Sequence, residues 1–577
     1  MTTNGIAWRE WGQEAFDEAT RQRKPILLDI SAVWCHWCHV MDEKVYSDPE
    51  VIAKANSDFI PVRVDTDRRP DVNSRYNMGG WPTTAFLTPE GEILTGATYL
   101  PPEDMRTVLS EVASFYRRHA TELGERLSAE GLKKRGTRNE APEPGGGLSR
   151  DEALEAAGAV VSKLDEAYDE HHGGFGMAPK FPHAKALDLL LVTYLRSAPG
   201  EEPRKAFGRV AAGRCLDMAE KTLKAMRQGG MYDQVAGGFF RYSTTRDWEV
   251  PHYEKMLEDN SELLAVYARA ARLTGDPFYA GTVRDVARYL LASLRSEEGF
   301  FFGSQDADED YYKLGEEARG RREPPRTDRT LYSGWNALAA RGLAGAYLAT
   351  GEVRLREAGL VALEYVWVAC RTGGGLLAHY LDESGTMGPV LLQDNADFAV
   401  ALLDAYEVTG EESFLKRASG LIRTVREEFG GDGPGFYDTL AGGEKPGHLR
   451  FRQKGLTENA RFALAMMRLA DITLDPEPRR IAEETLARFL GPHRRHGILA
   501  ADYALALDWA AGPTAEIVVS GDPAGETTAE LAFQAASAPS AARVVRRAPA
   551  GEGEEPVAYI CSGRTCLEPI RDPSSLA

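Results

Sequence analysis

Cysteine is scarce, six in 577 residues, which excludes a disulfide-built secreted scaffold. Closely spaced cysteines then read as catalytic or metal-binding, and there are two such pairs, Cys35/Cys38 and Cys561/Cys566. No apolar run approaches the roughly 20 residues that span a bilayer, and the stretch from Met1 to Gly12 has neither a basic nor an apolar signal region; a cytoplasmic chain without a membrane partner is expected. Basic side chains are in deficit, 68 against 87 acidic for a net charge of −19, and no Lys/Arg block could follow a phosphate backbone, so nucleic acid is not an expected partner. No His or Cys spacing repeats, and neither a metal nor another cofactor is expected. What remains is a composition of 43% hydrophobic and 27% charged residues, that of soluble globular proteins, in a chain too long for one core; two to four domains are expected.

Near the start, Pro25 to Ser31 has the length and apolarity of a buried strand, and a helical stretch runs from Trp8 to Arg23. The strand leads through Trp34 into Cys35-His36-Trp37-Cys38-His39 and a helix. Strands at Phe59–Val64 and Thr83–Thr88, a further strand after Pro89-Glu-Gly91 and a helix from about Glu103 complete the thioredoxin order. Cys35 at the first helical turn would have its thiolate stabilised by free N–H groups and the helix dipole, making it the attacking sulfur. Cys38, one turn on, would be the resolving thiol. By resemblance to the thioredoxin fold, Pro82 after Trp81 is the cis-proline beside the site, so Trp34, His36, Trp37, Trp81 and Pro82 are the expected partner-binding surface. Haem attachment through C-x-x-C-H, zinc binding and an inert structural pair are the competing readings.

The composition shifts to Gly, Pro, Lys and Glu over 124–149, a linker. Gly followed by an apolar residue then recurs at Gly174, Gly238, Gly299, Gly375, Gly435 and Gly497, at intervals of 64, 61, 76, 60 and 62 residues. The long interval holds a charged insertion, Lys313 to Thr330. Each such glycine separates two helical stretches. Those after it are Ala-rich and sparsely charged, those before it charged on one face, so an inner and an outer ring are expected in an (α/α)6 toroid. Short turns such as Thr274-Gly-Asp276 lie at the opposite end from the long Gly-aromatic loops, and the long-loop end is where a site belongs. The expected fold class is therefore multidomain: an α/β thioredoxin-like domain over 1–123, an all-α (α/α)6 toroid over 150–512, and a small C-terminal α/β appendage over 513–577. In the appendage, Cys561 and Cys566 are expected as two free, half-buried cysteines or a second thiol pair.

Polar residues gather at the long-loop end. His252, Glu254 and Asp259 are the candidate acid–base set. Asp233, Arg241, Trp248, Glu249, Asp306, Asp308, Trp335, Asn336, Asp394 and Glu458 are candidate ligand contacts, joined by Tyr242, Asn260, Gln393, Asp397, Tyr437, Asp438, Asn459 and Asp502. Carboxylates and aromatic faces around one funnel suit a polyhydroxylated, sugar-like ligand. Asp394, Thr457 and Ser333 also fit helix N-caps, and His252 also fits a structural role.

Several strings carry a resemblance: Cys35-His-Trp-Cys-His-Val-Met41, Val64-Asp-Thr-Asp-Arg-Arg-Pro70, Gly79-Gly-Trp-Pro82, Gly173-Gly-Phe-Gly-Met-Ala-Pro-Lys-Phe-Pro182 and Pro251-His-Tyr-Glu-Lys-Met-Leu257. With Asp306-Ala-Asp308 and Trp335-Asn336 they resemble the spermatogenesis-associated protein 20 family over nearly the whole chain. The resemblance implies a thioredoxin-like domain joined to a barrel similar to six-hairpin glycosidases and N-acylglucosamine 2-epimerases, and it supplies no firm activity. The chain departs from the family at Asp65-Thr-Asp67 and in a shortened loop between Asp308 and Trp335. The expectation is a thiol–disulfide oxidoreductase module, with a protein disulfide or thiol partner, fused to a barrel that binds or processes a sugar-like molecule. The alternatives are a sugar epimerase, isomerase or hydrolase with a docking module, and a non-catalytic redox sensor or chaperone-like protein.

Overall fold

Ile26-Leu-Leu-Asp-Ile30 is a continuous apolar run broken by one acid, and it forms the central strand β1 (Ile26–Ser31), closed from solvent on both faces. β2 (Ile60–Asp65) pairs parallel to it, β3 (Thr83–Leu87) antiparallel, and β4 (Ile93–Ala97) antiparallel to β3, giving the sheet order β2-β1-β3-β4. Helices α1 (Gln13–Gln22) and α4 (Pro70–Tyr76) cover one face, through Phe16, Val72 and Tyr76. On the other face lie α2 (His36–Lys44), α3 (Pro49–Asp58) and α5 (Pro102–Arg138), through Met41, Val51 and Leu109. This is the thioredoxin-like arrangement expected. α1 starts at Gln13 rather than Trp8 because the backbone of Arg9 joins the sheet edge, donating to Pro61 O at 3.0 Å and accepting from Arg63 N at 2.9 Å.

The computed structural model describes residues 5–138, 147–196, 210–443, 445–549, 551, 554–562 and 565–576, with 121, 124–138, 562 and 565 as backbone only. The chain divides into two units, Met1–Pro144 with Thr439–Gln453, and Gly145–Asp438 with Lys454–Ala577. Two features of the first unit differ from the sequence expectation. α5 stays helical through the first half of the expected linker, to Arg138; positions 139–146 of that linker lie outside the described residues. The segment 439–453 was expected in the toroid, yet Leu449 completes the core cluster of Trp11, Phe16 and Tyr76, and His448 N–H donates to the Tyr76 hydroxyl at 2.7 Å.

The second unit holds twelve long helices among the described residues, arranged as six hairpins. The inner members are α7 (Ala184–Arg196), α9 (Leu257–Thr274), α11 (Ser333–Thr350), α13 (Leu392–Thr409), α15 (Leu456–Thr473) and α17 (Ala501–Ala511). Each packs on the next and α17 packs on α7, so the ring closes. The outer members are α6 (Arg150–Ala167), α8 (Ala212–Gln228), α10 (Pro277–Tyr289), α12 (Val353–Ala369), α14 (Glu412–Phe429) and α16 (Pro476–Ala487). Ser149 starts α6 with a capping box. Short turns end α9, α11 and α13 at Gly275, Gly351 and Gly410, whose left-handed φ values of 66°, 73° and 76° let the last carbonyls find donors.

An asparagine at the fourth position of four inner helices fixes the long loops. Asn260, Asn336, Asn395 and Asn459 accept the N–H of Phe239, Phe301, Leu377 and Phe436 at 2.6–2.9 Å and return an N–H to the carbonyl of the same residue. The second amide proton closes onto the carbonyl four residues back. The glycine of the loop lets the backbone come this close: a Cβ on Gly238 would meet the Tyr289 ring at 2.5 Å.

The C-terminal appendage is an α/β layer: β5 (Ala515–Ser520), α18 (Glu526–Ser537), β6 (Arg543–Ala548), β7 (Val557–Ser562) and β8 (Thr565–Cys566), in sheet order β6-β5-β7-β8. Cys561 and Cys566 are register partners across β7 and β8 and form a disulfide, with Cα atoms 4.0 Å apart. Free cysteines were the commoner expectation; strand pairing, which spacing alone does not reveal, brings them together.

Candidate functional sites

In the first unit the turn after β1 makes Cys35 the N-cap of α2, and its Sγ accepts the Cys38 N–H at 3.2 Å. The two sulfurs are bonded, with Cα atoms 5.2 Å apart. Both cysteines are buried, whereas Trp37 beside them is 51% exposed and meets the Tyr99 ring at 5.3 Å. Trp34 is buried, its indole donating to Asp67 at 2.5 Å and its ring edge-on to Trp81 at 5.7 Å. The Trp81–Pro82 bond is cis. His36 packs against Trp37 at 5.9 Å, while His39 engages the Val33 carbonyl at 2.9 Å. One group escaped the sequence reading. Asp29, inside β1, is 1% exposed, accepts from Arg63 Nε at 2.7 Å, and has its carboxyl pushed up to about 6 by burial; an acid within an apolar run was the available signal.

In the second unit the long-loop end of the ring forms a bowl with a cavity of about 480 Å³ lined in part by Phe181, His183, Asp259 and Glu262. Phe181, Tyr242 and His252 stack in series, at 4.9 and 5.0 Å. His252 Nδ1 stands 2.8 Å from Glu254 Oε1. Asp259, in the first turn of α9, is raised to about 7 by burial and by Glu262 and Glu254, against the pull of Arg241. Its Oδ2 is enclosed with no hydrogen-bond partner among the described residues. So His252, Glu254, Asp259 and Arg241 do come together.

The sequence reading missed four members of this bowl. Glu258 is raised to about 8 by burial, Glu262 and Asp259. Glu262 pairs with Lys185 at 3.1 Å and Arg461 at 3.2 Å, and Arg461 also pairs with Asp397 and Asp502, both at 3.0 Å. Arg461 thus ties three other inner helices together. Glu458, also half-buried, has its carboxyl raised by burial.

Other expected contacts are spent on the protein. Asp233 is 2% exposed and accepts from Lys255 at 2.6 Å and Arg319 at 2.7 Å. Trp248 is fully buried, its indole donating to the His172 carbonyl at 3.0 Å. Asn336 is one of the loop asparagines, and Asp394 is buried against His379 at 2.8 Å. With their polar atoms taken, these four hold loops in place and do not face a ligand. Asp308 caps the one-turn helix Glu309–Tyr312, and Asp306 accepts the Ala307 N–H at 2.8 Å. Trp335 is nearly buried on Tyr332 at 4.3 Å, and Glu249 is exposed on a loop. Asp394, Thr457 and Ser333 are not N-caps: their helices are preceded by Leu391, Gly455 and Tyr332 in that position.

Residues 1–131 match the family model Thioredox_DsbH, described as a protein of unknown function, DUF255. Over 326 residues the chain is 36% identical to spermatogenesis-associated protein 20 of Homo sapiens. The chain is a homologue of spermatogenesis-associated protein 20. The match covers 53% of this homologue and 39% of the human protein's length. Thioredoxin H7 of Arabidopsis thaliana is 32% identical over 110 residues, 18% of the chain and 81% of that thioredoxin. Among solved structures, cellobiose 2-epimerase from Spirochaeta thermophila aligns over 63% of the chain and 95% of its own at 16% identity, with a TM-score of 0.48. No helix among the described residues is long and apolar enough to cross a membrane.

Proposed function

We propose that the first unit is a thiol–disulfide oxidoreductase acting on a protein or small-molecule disulfide in the cytoplasm. One observation carries this: Cys35 Sγ sits at a helix N-cap receiving the Cys38 N–H, with Cys38 at bonding distance. In the reduced form the Cys35 thiolate attacks one sulfur of the partner disulfide; that S–S bond breaks, and the other sulfur leaves as a thiolate that takes up a proton. Cys38, deprotonated, then attacks Cys35, re-forming Cys35–Cys38 and releasing the second partner thiol, so two electrons pass to the partner. The rim of Trp37, Trp81 and Tyr99 supplies apolar surface for that partner. Insulin reduction driven by dithiothreitol tests this. Cys35→Ser should abolish the acceleration, and Cys38→Ser should accumulate a mixed disulfide through Cys35; wild-type rates in Cys35→Ser would refute it.

A second reading concerns the bowl, which we propose binds a sugar-like molecule. The meeting of His252, Glu254 and Asp259 on one wall favours acid–base chemistry there, as in a sugar epimerase, isomerase or hydrolase. Incubating reducing sugars with the protein in deuterated water and following exchange at C2 by NMR tests the epimerase and isomerase forms. Exchange lost in Asp259→Asn and retained in Cys35→Ser would support it.

A further inference from the structure

Below the bowl the bore of the ring continues as a second cavity, of about 220 Å³, running from Arg461 and Asp502 down to the appendage, where Ala536, Ser540 and Arg543 close it. This closed end is rich in guanidinium groups. Arg269, Arg272, Arg341, Arg468 and Arg543 line it, against Asp188, Asp404 and Glu407; Asp508 is already engaged by Arg196 at 2.9 Å. Three of the five are paired: Arg269 with Asp188 at 2.5 Å, Arg341 with Asp404 at 2.9 Å, and Arg468 with Asp404 at 2.6 Å and Glu407 at 2.7 Å.

Arg272 and Arg543 have no carboxylate partner among the described residues. Each gives one N–H to a backbone carbonyl, Arg272 to Ala536 at 3.3 Å and Arg543 to Ala538 at 2.6 Å. The Nε atoms of Arg272, Arg468 and Arg543 are shut off from solvent and make no hydrogen bond among the described residues. Burial together with Arg543 and Arg269 holds Arg272 down to about 9, far below the ordinary arginine range, so the charges repel one another. Two half-buried guanidiniums with no paired carboxylate among the described residues and with unused donors are costly unless something neutralises them. Their planar forks match a tetrahedral or planar oxyanion.

We propose that the closed end of the bore, between Arg272 and Arg543, is a binding site for a phosphate-class oxyanion, either free phosphate or the phosphate of a phosphorylated small molecule. The site is separate from the redox turn and from the acid–base wall of the bowl, and it does not depend on either being catalytic.

The test is thermal unfolding and isothermal titration of the full chain with inorganic phosphate and, separately, with a hexose 6-phosphate, at constant ionic strength set with sodium chloride. Wild type should show a saturable rise in Tm and one site per chain. Arg272→Gln and Arg543→Gln should each weaken binding at least tenfold, and Arg272→Lys less, since it keeps the charge but loses the fork. Without ligand, the Gln variants should be no less stable than wild type, because one unpaired charge has gone from a cluster of like charges. Should either Gln variant fail to fold, equilibrium dialysis of wild type against radiolabelled phosphate still decides between one site and none. A hexose phosphate that binds more tightly than phosphate identifies a phosphorylated small molecule; equal or weaker binding identifies free phosphate. No saturable binding of either probe, or binding that survives both Gln substitutions, overturns the proposal.

Discussion

Glu258→Gln isolates one of the two raised carboxyls of the bowl. In the folded chain Glu258 titrates near pH 8 and Asp259 near pH 7, above the ordinary carboxylate range, because burial and neighbouring acids disfavour the ionised forms. A carboxyl whose pKa is raised on folding contributes stability that is full below its unfolded pKa and is lost as pH climbs through the folded value. The wild-type bowl should therefore lose stability from about pH 5 to pH 8. Taken at face value, each displacement is worth about 4 kcal/mol at pH 8. Two effects reduce it. Both groups lie in the first turn of α9, where the helix dipole returns about 0.3–1 kcal/mol to an anion. The Glu258–Asp259 repulsion is shared and removed only once, and both residues are only half-buried. The gain from Glu258→Gln should thus grow by about 1–2 kcal/mol between pH 5.5 and pH 8, or about 1–2 °C in Tm for a unit of this size. Differential scanning calorimetry of wild type and variant at the two pH values measures this. An equal shift at both, or a loss at pH 8, would show that Glu258 is ionised and paired in the folded chain, and the acid–base reading of this wall would lose its physical basis.

Asn395→Ala should cost about 3 kcal/mol, because the Leu377 N–H and C=O and the Leu391 C=O lose a buried partner; urea unfolding monitored by tryptophan fluorescence reads it, and Asn395→Asp, which keeps the acceptor, should fall between. Lys255→Met should destabilise by about 3–5 kcal/mol despite similar volume, since Asp233 keeps Arg319 but loses its closest cation; unchanged thermal stability would contradict the assignment of Asp233 as a loop anchor. Mild reduction should release the Cys561–Cys566 pair as two thiols detectable by alkylation and mass spectrometry, while Cys215 and Cys370, buried and held up to about 12, stay unlabelled until the chain unfolds.

The hairpin ring was legible because each repeat spends a glycine and an apolar residue at the same place, and in four of the six the reason is now visible: the loop must come close enough for an inner-helix asparagine to bind it from both sides. The CxxC turn was legible because strand, CxxC and helix are contiguous. What spacing could not reveal depends on closure. Glu258 and Glu262 stand one turn apart on α9, but that their side face looks onto the axis follows only once six helices form a ring, and Arg461 gains its three acids only from other repeats. The same limit misled in the other direction. Asp233 and Trp248 lie in the long loops and Asn336 and Asp394 in the first turn of inner helices, where a ligand contact belongs, but the groups that occupy them come from distant positions, such as the Arg319 side chain and the His172 carbonyl. Likewise 439–453 lies between two barrel helices in sequence and joins the first unit's core through Leu449.

The charges along the bore follow the helices that make it. All six inner helices run the same way, so their N-termini gather at the bowl and their C-termini at the closed end. With about half a unit of charge per terminus, the ring carries roughly +3 at one end and −3 at the other before any side chain is added. Acids collect in the bowl and arginines at the closed end, each opposite in sign to the local dipoles. Dipoles alone would then account for ionised, paired side chains at both ends. They do not account for carboxyls that resist ionising beside helix N-termini, nor for guanidiniums whose Nε atoms find no acceptor among the described residues beside six helix C-termini. The two ends therefore offer different chemistry: above, neutral carboxyls can donate hydrogen bonds to hydroxyls, and below, guanidiniums with unused donors can take an oxyanion.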